Sequence, residues 1–216
     1  MRLYKKLSMH LYKNIFLILS ILIPASLFAS YEININYESG FEFKLQKELL
    51  TKLQKEDSRR GIERVIKNQE WIKDYSLIYK PFEKKIFISI KNRIPFFVLN
   101  NEYFYDKNLN RFKFDETSKK LITVSGDIDN LNNVVVLIDL IESNKSIKHK
   151  VDSINYNFVS GWDVRTDKTL IRFGKDISDK KLRTFEDTAN YLYEIGKIPS
   201  IIDMRYKDGV ALNYGK

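Results

Sequence analysis

Few side chains of this sequence have the type and spacing that catalysis or metal binding requires. The chain has no cysteine, which excludes thiolate metal sites and a cysteine nucleophile. Its two histidines, His10 and His149, lie far apart, so a histidine-based zinc site or a Ser-His-Asp triad is nearly excluded. The sequence contains no glycine-rich phosphate loop and no G-x-S-x-G motif. We therefore expect no enzyme activity, no catalytic residue, no metal and no cofactor.

Other polar or aromatic residues that could form a site have a structural interpretation. Asp127 and Asp129 resemble an acidic metal-binding pair, but they precede an apolar helical pattern, and we expect one of them to cap that helix. His149 lies between two lysines, so we expect a solvated linker residue whose protonation is disfavoured. Trp71 and Trp162 could be exposed anchors, but packing in the core is the better prediction.

The C-terminal residues carry the strongest signal for binding. Residues 210–214 are predicted to form the last strand, and they contain neither charge nor proline, the usual protection of a sheet edge. We expect a partner to add a strand there, with the ring of Tyr206 packed on it. Asp203 and Arg205 share one face of the preceding strand, either as an ion pair or as a solvated polar face. The predicted partner-binding residues are Arg205, Tyr206, Asp208, Gly209, Val210, Ala211, Leu212, Asn213 and Tyr214.

The composition is that of a globular protein, with 44% hydrophobic and 30% charged residues. The net charge is +9, from 37 Lys and Arg against 28 Asp and Glu. A basic balance can indicate nucleic-acid binding, but four of the basic residues precede any acidic residue, and the others are spread among many acids. We therefore expect no nucleic-acid partner.

The basic residues at the N-terminus precede an uncharged apolar segment. Residues 14–30 contain no charge, and the pattern predicts a transmembrane helix at the short end of the usual length. The basic flank, residues 1–13, predicts a cytoplasmic N-terminus. A cleaved signal peptide is the alternative, although Leu27 and Pro24 fit poorly before the two cleavage sites that the sequence offers. Either interpretation places residues 31–216 outside the cytoplasm.

The exported part divides into two patterns. Up to residue 92 the apolar spacing predicts the order strand, helix, helix, strand, strand, with Ile86, Ile88 and Ile90 as the clearest alternation. From residue 93 short strands alternate with turns, and two helices are predicted, the second from Asp179 to a stop at Gly196. The predicted fold class is α+β, with one transmembrane helix, a small βααββ domain, and a second mixed domain with an antiparallel-rich sheet and two helices.

Together these patterns resemble the FtsQ/DivIB family of bacterial cell-division proteins over nearly the whole chain. The βααββ unit resembles a POTRA domain, and residues 93–95 (RIP) resemble the Arg-x-Pro start of the family's second domain. The most specific likeness is residues 203–211 (DMRYKDGVA), which resemble the family's Asp-x-Arg-Tyr-x-x-Gly-x-Ala segment. Tyr214 stands where many members have tryptophan, and Val159 and Ser160 stand where some have arginine.

The resemblance implies four regions: a cytoplasmic segment (1–13), a transmembrane helix (14–30), a POTRA-like domain (31–92) and an FtsQ-type β domain (93–216). It implies a non-catalytic divisome scaffold, single-pass in the inner membrane at the division septum, with both domains periplasmic. Its implied partners are the bitopic division proteins FtsB and FtsL, bound by strand addition, so that early and late division proteins are linked. The alternatives are a POTRA-type adaptor in protein secretion or outer-membrane assembly, and a secreted binding protein.

Overall fold

The computed structural model describes residues 31–38, 43–115, 119–146 and 148–215. Twelve strands and four helices in this part of the chain form a three-stranded sheet and a nine-stranded sheet. The structure is sheet-rich, and among its described residues no helix is long and apolar enough to cross a membrane. The segment predicted as a transmembrane helix, residues 14–30, lies outside the described residues.

The smaller sheet contains strands β1 (Glu32–Tyr37), β2 (Ile72–Lys80) and β3 (Lys85–Asn92), in the order β1-β3-β2. β1 runs parallel to β3, and β2 runs antiparallel to it. Helices α1 (Leu45–Leu53) and α2 (Arg59–Lys67) connect β1 to β2. The elements therefore follow one another as strand, helix, helix, strand, strand, which is the order that the apolar spacing predicts.

Alternating apolar residues explain why the central strand of this sheet forms, and a capping side chain explains where the second helix begins. Ile86, Ile88 and Ile90 of β3 are buried in one cluster with apolar residues of α1 and α2. Burying a side chain of this size is worth about 1.5–3 kcal/mol relative to leaving it exposed. The Oγ of Ser58 accepts a hydrogen bond of 3.1 Å from the N–H of Gly61, which caps the start of α2.

The larger sheet contains the nine strands that follow β3. They are β4 (Phe97–Leu99), β5 (Tyr103–Tyr105), β6 (Arg111–Lys113), β7 (Ile122–Ser125), β8 (Val151–Asn157), β9 (Gly161–Thr166), β10 (Leu170–Gly174), β11 (Ile201–Asp203) and β12 (Ala211–Asn213). Their order across the sheet is β12-β11-β10-β9-β8-β7-β4-β5-β6. Helix α3 (Asn132–Glu142) joins β7 to β8, and helix α4 (Asp179–Glu194) joins β10 to β11. Both of these pairs are parallel, and parallel neighbours need such a crossover.

The predicted fold class is wrong in its membrane-spanning helix, because none of the four helices in the described part of the chain is long and apolar enough to cross a membrane. The longest described helix, α4, has 16 residues, whereas a membrane span needs about 20 apolar residues. Charged residues alternate in α4 with the buried Phe185, Ala189 and Leu192. Such a helix covers a sheet on one side and meets water on the other.

One aromatic cluster joins the two sheets. Phe43, which precedes α1, and Trp71 are buried together with Phe104 and Phe112 of the larger sheet. The ring centroid of Phe43 lies 6.1 Å from that of Phe104 and 5.9 Å from that of Phe112. Trp71 here and Trp162 in β9 are both buried, as predicted. Side chains on both sides of residue 92 share this cluster. The predicted domain boundary after residue 92 stays a prediction.

The start of α3 differs from the prediction, because its N-cap residue is Leu131, which offers no side-chain cap. The Oδ1 of Asn130 accepts a hydrogen bond of 3.1 Å from the N–H of Asn132, the first residue of α3. Asp127 and Asp129 lie further from the helix start, so the prediction that one of them caps α3 is wrong. The stop at Gly196 is confirmed, because its φ of 62° lets the N–H of Lys197 bond back to the C=O of Leu192 at 3.0 Å.

His149 is buried, which contradicts the solvated position that its neighbouring lysines suggested. Its Nδ1 lies 3.4 Å from the Oδ1 of Asp167 in the turn between β9 and β10. Lys148 has a φ of 38°, and this sharp bend directs the next residue inward. Burial lowers the pKa of His149, against the opposing effect of Asp167, so the ring is neutral at neutral pH.

Candidate partner-binding edge

The predicted partner-binding residues lie at one end of the larger sheet. β12 is the terminal strand and pairs antiparallel with β11, with Leu212 opposite Ile202. Only Ala211, Leu212 and Asn213 form β12, so the strand is shorter than the predicted 210–214. The connection from β11 to β12 contains the predicted residues Arg205, Tyr206, Asp208, Gly209 and Val210, and Tyr214 follows β12.

The direction of the backbone groups in β11 follows from its bonds to β10. The N–H of Leu170 donates to the C=O of Ser200 at 2.9 Å, and the N–H of Met204 donates to the C=O of Arg172 at 2.8 Å. Successive residues of a strand direct their peptide groups to opposite sides. The even-numbered residues of β11 therefore bond to β10, and the odd-numbered residues bond to β12.

The same alternation identifies the outer side of β12. Asn213 lies opposite Ile201, and Ala211 lies opposite Asp203, so both of these β12 residues bond inward to β11. The N–H and C=O of Leu212 therefore point outward, away from the sheet. The Leu212 side chain packs half-buried against the core. Outward peptide groups on a terminal strand are a template on which another strand can pair.

An ion pair ends β11 and begins the connection. The Nε of Arg205 donates to both carboxylate oxygens of Asp203, at 2.9 and 3.1 Å, and its backbone N–H donates to Oδ1 at 3.1 Å. Asp203 is buried, so the ion-pair alternative is confirmed and the solvated-face alternative is wrong. The hydrogen bond from the Arg205 side chain lowers the pKa of Asp203, which keeps this carboxylate charged.

The connection also forms one wall of a cleft with a volume of about 560 Å³. Tyr206 lies beside this cleft and is 60% exposed, so its ring is available to an incoming strand. The other wall comes from the start of α4, where the Nζ of Lys181 donates to the C=O of Phe173 at 2.8 Å. The residues that line the cleft are Asp176, Ser178, Lys180, Lys181, Thr184 and residues 204–210.

Sequence reasoning did not identify the α4 wall of this cleft. Residues 176–184 are separated from residues 204–210 by the rest of α4, and nothing in their spacing indicates that the two segments meet. The signal that could have found them is topological. A helix that joins two parallel strands begins at the side of the sheet where the first strand ends, and the second strand ends at that same side. The first turn of α4 therefore lies near the segment that leaves β11.

The opposite end of the same sheet is closed. The N–H of Lys113 in β6 donates to the Oε2 of Glu70, which precedes β2, at 3.1 Å. The N–H of the next residue, Phe114, donates inward to the C=O of Glu102 at 3.1 Å, so the Lys113 N–H is on the outer side. β6 also begins with the charged Arg111. Charge and an acceptor from the other sheet together block strand addition at this end.

The described residues contain no group of three or more His, Cys, Asp and Glu side chains that could hold a metal ion. No protein-family model and no curated protein matches this sequence. The membership in the FtsQ/DivIB family, the partners and the location therefore stay predictions from the sequence. The site described above stands on geometry alone.

Proposed function

We propose that this protein is a non-catalytic scaffold that binds an extended segment of a partner protein beside β12. The single observation that carries the proposal is the open edge of that strand, with the N–H and C=O of Leu212 directed outward. Main-chain hydrogen bonds to an edge supply affinity in strand addition, and pockets for alternate side chains supply specificity.

The surroundings of β12 fit this mode of binding. The same alternation would direct the peptide groups of Val210 and Tyr214 outward if the strand were extended to them. An added strand could then bond to these residues on the same side as to Leu212. The cleft beside Tyr206 offers a place for one or more side chains of the added strand. Arg205, held by Asp203, presents a positive charge at a fixed position on the cleft wall.

The likeness of residues 203–211 to the FtsQ/DivIB segment supports a partner of the FtsB or FtsL type. In this proposal the scaffold acts at the division septum, on the periplasmic side, and links early and late division proteins. The segment that carries the family likeness, residues 203–211, leads directly into the edge strand Ala211–Asn213, so the likeness and the geometry point to neighbouring residues.

A binding titration tests the edge directly. Leu212→Pro removes the outward N–H, and Leu212→Ala removes the same side chain but keeps that N–H. We expect synthetic extramembrane segments of FtsB- and FtsL-type proteins to bind Leu212→Ala nearly as well as the unchanged chain. Leu212→Pro is expected to bind several-fold more weakly, because one hydrogen bond is worth about 0.5–1.5 kcal/mol.

Circular dichroism of both variants would establish that each is folded. Equal binding by Leu212→Pro and Leu212→Ala would show that the added strand does not use this N–H. Failure of the unchanged chain to bind either segment would contradict the choice of partner. Localisation of a fluorescent fusion in dividing cells tests the setting, since a uniform signal without a midcell band would contradict the division role.

A further inference from the structure

An exposed aromatic tip lies at one end of the smaller sheet. The turn between β2 and β3 places Phe82 fully in solvent. Tyr31 and Tyr79 lie at the same end, and their ring centroids are 4.9 Å apart. The N–H of Glu32 donates to the C=O of Lys84 at 2.9 Å, which ties the start of β1 to this turn. We call Tyr31, Tyr79, Phe82 and Lys84 the aromatic tip.

The charges around the aromatic tip are mostly paired. Lys80 lies 3.2 Å from Glu83, and Lys85 lies 3.6 Å from Glu32. Lys84 is exposed and belongs to neither of these pairs. The tip therefore combines the fully exposed ring of Phe82 and two half-buried tyrosine rings, which also pack against the core of the smaller sheet, with a small excess of positive charge. This composition is typical of residues at a membrane–water interface, where aromatic rings sit at the headgroup level beside basic side chains.

The chain enters the structure at this same tip. The uncharged apolar residues 15–29 are separated from Tyr31 by Ser30 alone. Two peptide units span at most roughly 7 Å, so the end of the apolar stretch is close to the tip. An uncharged apolar stretch that follows basic residues favours a lipid bilayer over water. Association of that stretch with a bilayer, in any conformation, brings the tip to the lipid surface.

We propose that the aromatic tip rests on the surface of an anionic phospholipid bilayer. Phe82 inserts at the boundary between headgroups and acyl chains, and Lys84 lies among the lipid phosphates. The two tyrosines keep their hydroxyl groups in the hydrated headgroup layer, as an amphipathic ring allows. With the apolar stretch as one contact and the tip as a second, the smaller sheet would be held in a fixed orientation to the lipid. This inference does not depend on partner binding at β12.

A fluorescence experiment on the full chain tests the contact. Because the chain has no cysteine, Glu83→Cys allows one environment-sensitive fluorophore to be attached beside Phe82. Val159→Cys gives a control on another hairpin, because Val159 adjoins the exposed ring of Phe158, with Lys175 5.3 Å away, and Phe82→Ser in the Glu83→Cys chain is the control of equal charge. Both labelled chains are reconstituted in vesicles of phosphatidylcholine and phosphatidylglycerol, with and without a nitroxide-labelled lipid.

The expected result is a blue shift and loss of intensity at position 83 and neither change at position 159. Adding Phe82→Ser to the Glu83→Cys chain should reduce the quenching, whereas adding Phe158→Ser should not. Omitting phosphatidylglycerol should weaken the effect. No quenching at position 83, or equal quenching at both positions, would overturn the proposal. Quenching that persists with Phe82→Ser would overturn the insertion of that ring.

Discussion

The two ends of the nine-stranded sheet treat their outer backbone groups in opposite ways. At β6 the outward N–H of Lys113 bonds to Glu70 of the other sheet unit, 3.1 Å away. At β12 the N–H and C=O of Leu212 point outward, and no strand of the described residues pairs with them. Both strands have three residues, so strand length does not distinguish them. The two edges therefore differ in whether a side chain from the other sheet occupies the outward N–H, which it does at β6 and which no described side chain does at β12.

The same comparison separates stability from binding. The closed end carries the aromatic cluster that joins the two sheets, including the fully buried Phe104 and Phe112. The open end carries exposed or half-buried side chains, among them Tyr206 and Leu212. We therefore expect changes at the β6 end to alter the free energy of unfolding, and changes at the β12 end to alter affinity for a partner.

The largest expected effect is on stability at the closed end. Phe112→Ala should lower the free energy of unfolding by about 3–5 kcal/mol, because it leaves a cavity in a buried aromatic cluster. The measurement is denaturant unfolding followed by circular dichroism. Leu212→Ala is the control at the open end and should cost clearly less, since that side chain is only half-buried. Equal losses in the two variants would remove the contrast between the ends.

The next effect is on binding at the open end. Tyr206→Ala should weaken affinity for the partner segment by about 1–3 kcal/mol if the ring is a central anchor. Tyr193→Ala is a matched control, because Tyr193 is 65% exposed but does not line the cleft. Titration calorimetry measures both. A similar loss of affinity with Tyr193→Ala would show that the effect of Tyr206 is not specific to this edge.

A smaller effect should follow from opening the closed end. Glu70→Ala removes the acceptor of the Lys113 N–H and should cost about 0.5–1.5 kcal/mol of stability. The freed edge should also raise self-association, which sedimentation velocity measures. Glu70→Gln keeps an oxygen acceptor and should behave nearly as the unchanged chain does. Unchanged stability and unchanged association in Glu70→Ala would mean that this carboxylate does not protect β6.

The smallest expected effect concerns pH and the ion pair of the open end. The folded-state pKa of Asp203 is lowered by Arg205, so its contribution to stability is present above the unfolded value of about 3.9 and is lost as pH falls through the folded pKa. Because Arg205 is partly exposed, we expect less than about 1 kcal/mol.

Asp203→Asn should therefore flatten the fall of stability below pH about 4, as followed by thermal unfolding at several pH values. Asp208→Asn, at an exposed carboxylate of the same connection, is the control. An unchanged slope in Asp203→Asn would show that the ion pair does not contribute.

Local patterns made the regular elements predictable, and contacts between distant residues account for most of the errors. The alternation in β3 and the apolar spacing of α4 are properties of a few neighbouring residues, so the sequence shows them directly. The strand predicted to carry both Asp203 and Arg205 ends at Asp203, where Arg205 turns back to bond the Asp203 carboxylate. His149 appeared solvated because its partner, Asp167, lies in a turn that the flanking lysines do not indicate.

The candidate edge was partly predictable for the same reason. The absence of charge and proline in residues 210–214 indicated an open strand, and β12 is indeed terminal in its sheet. Its outward residue could not be named from the sequence, because that assignment needs the bonds between β11 and β10. The protection of β6 by Glu70 joins residues 43 positions apart, and no pattern within either segment reveals it.

The strand order also has a consequence for the timing of folding. β8, β9 and β10 follow one another along the chain and pair antiparallel, so the middle of the larger sheet can form from local contacts. The two ends need longer loop closures, because β4 must reach β7 and β11 must reach β10 across α4. We expect the sheet to grow outward from its middle. β12 can pair with β11 as a local hairpin, but it becomes the end of the nine-stranded sheet only when β11 has joined β10 across α4, so we expect this end of the sheet to be completed late.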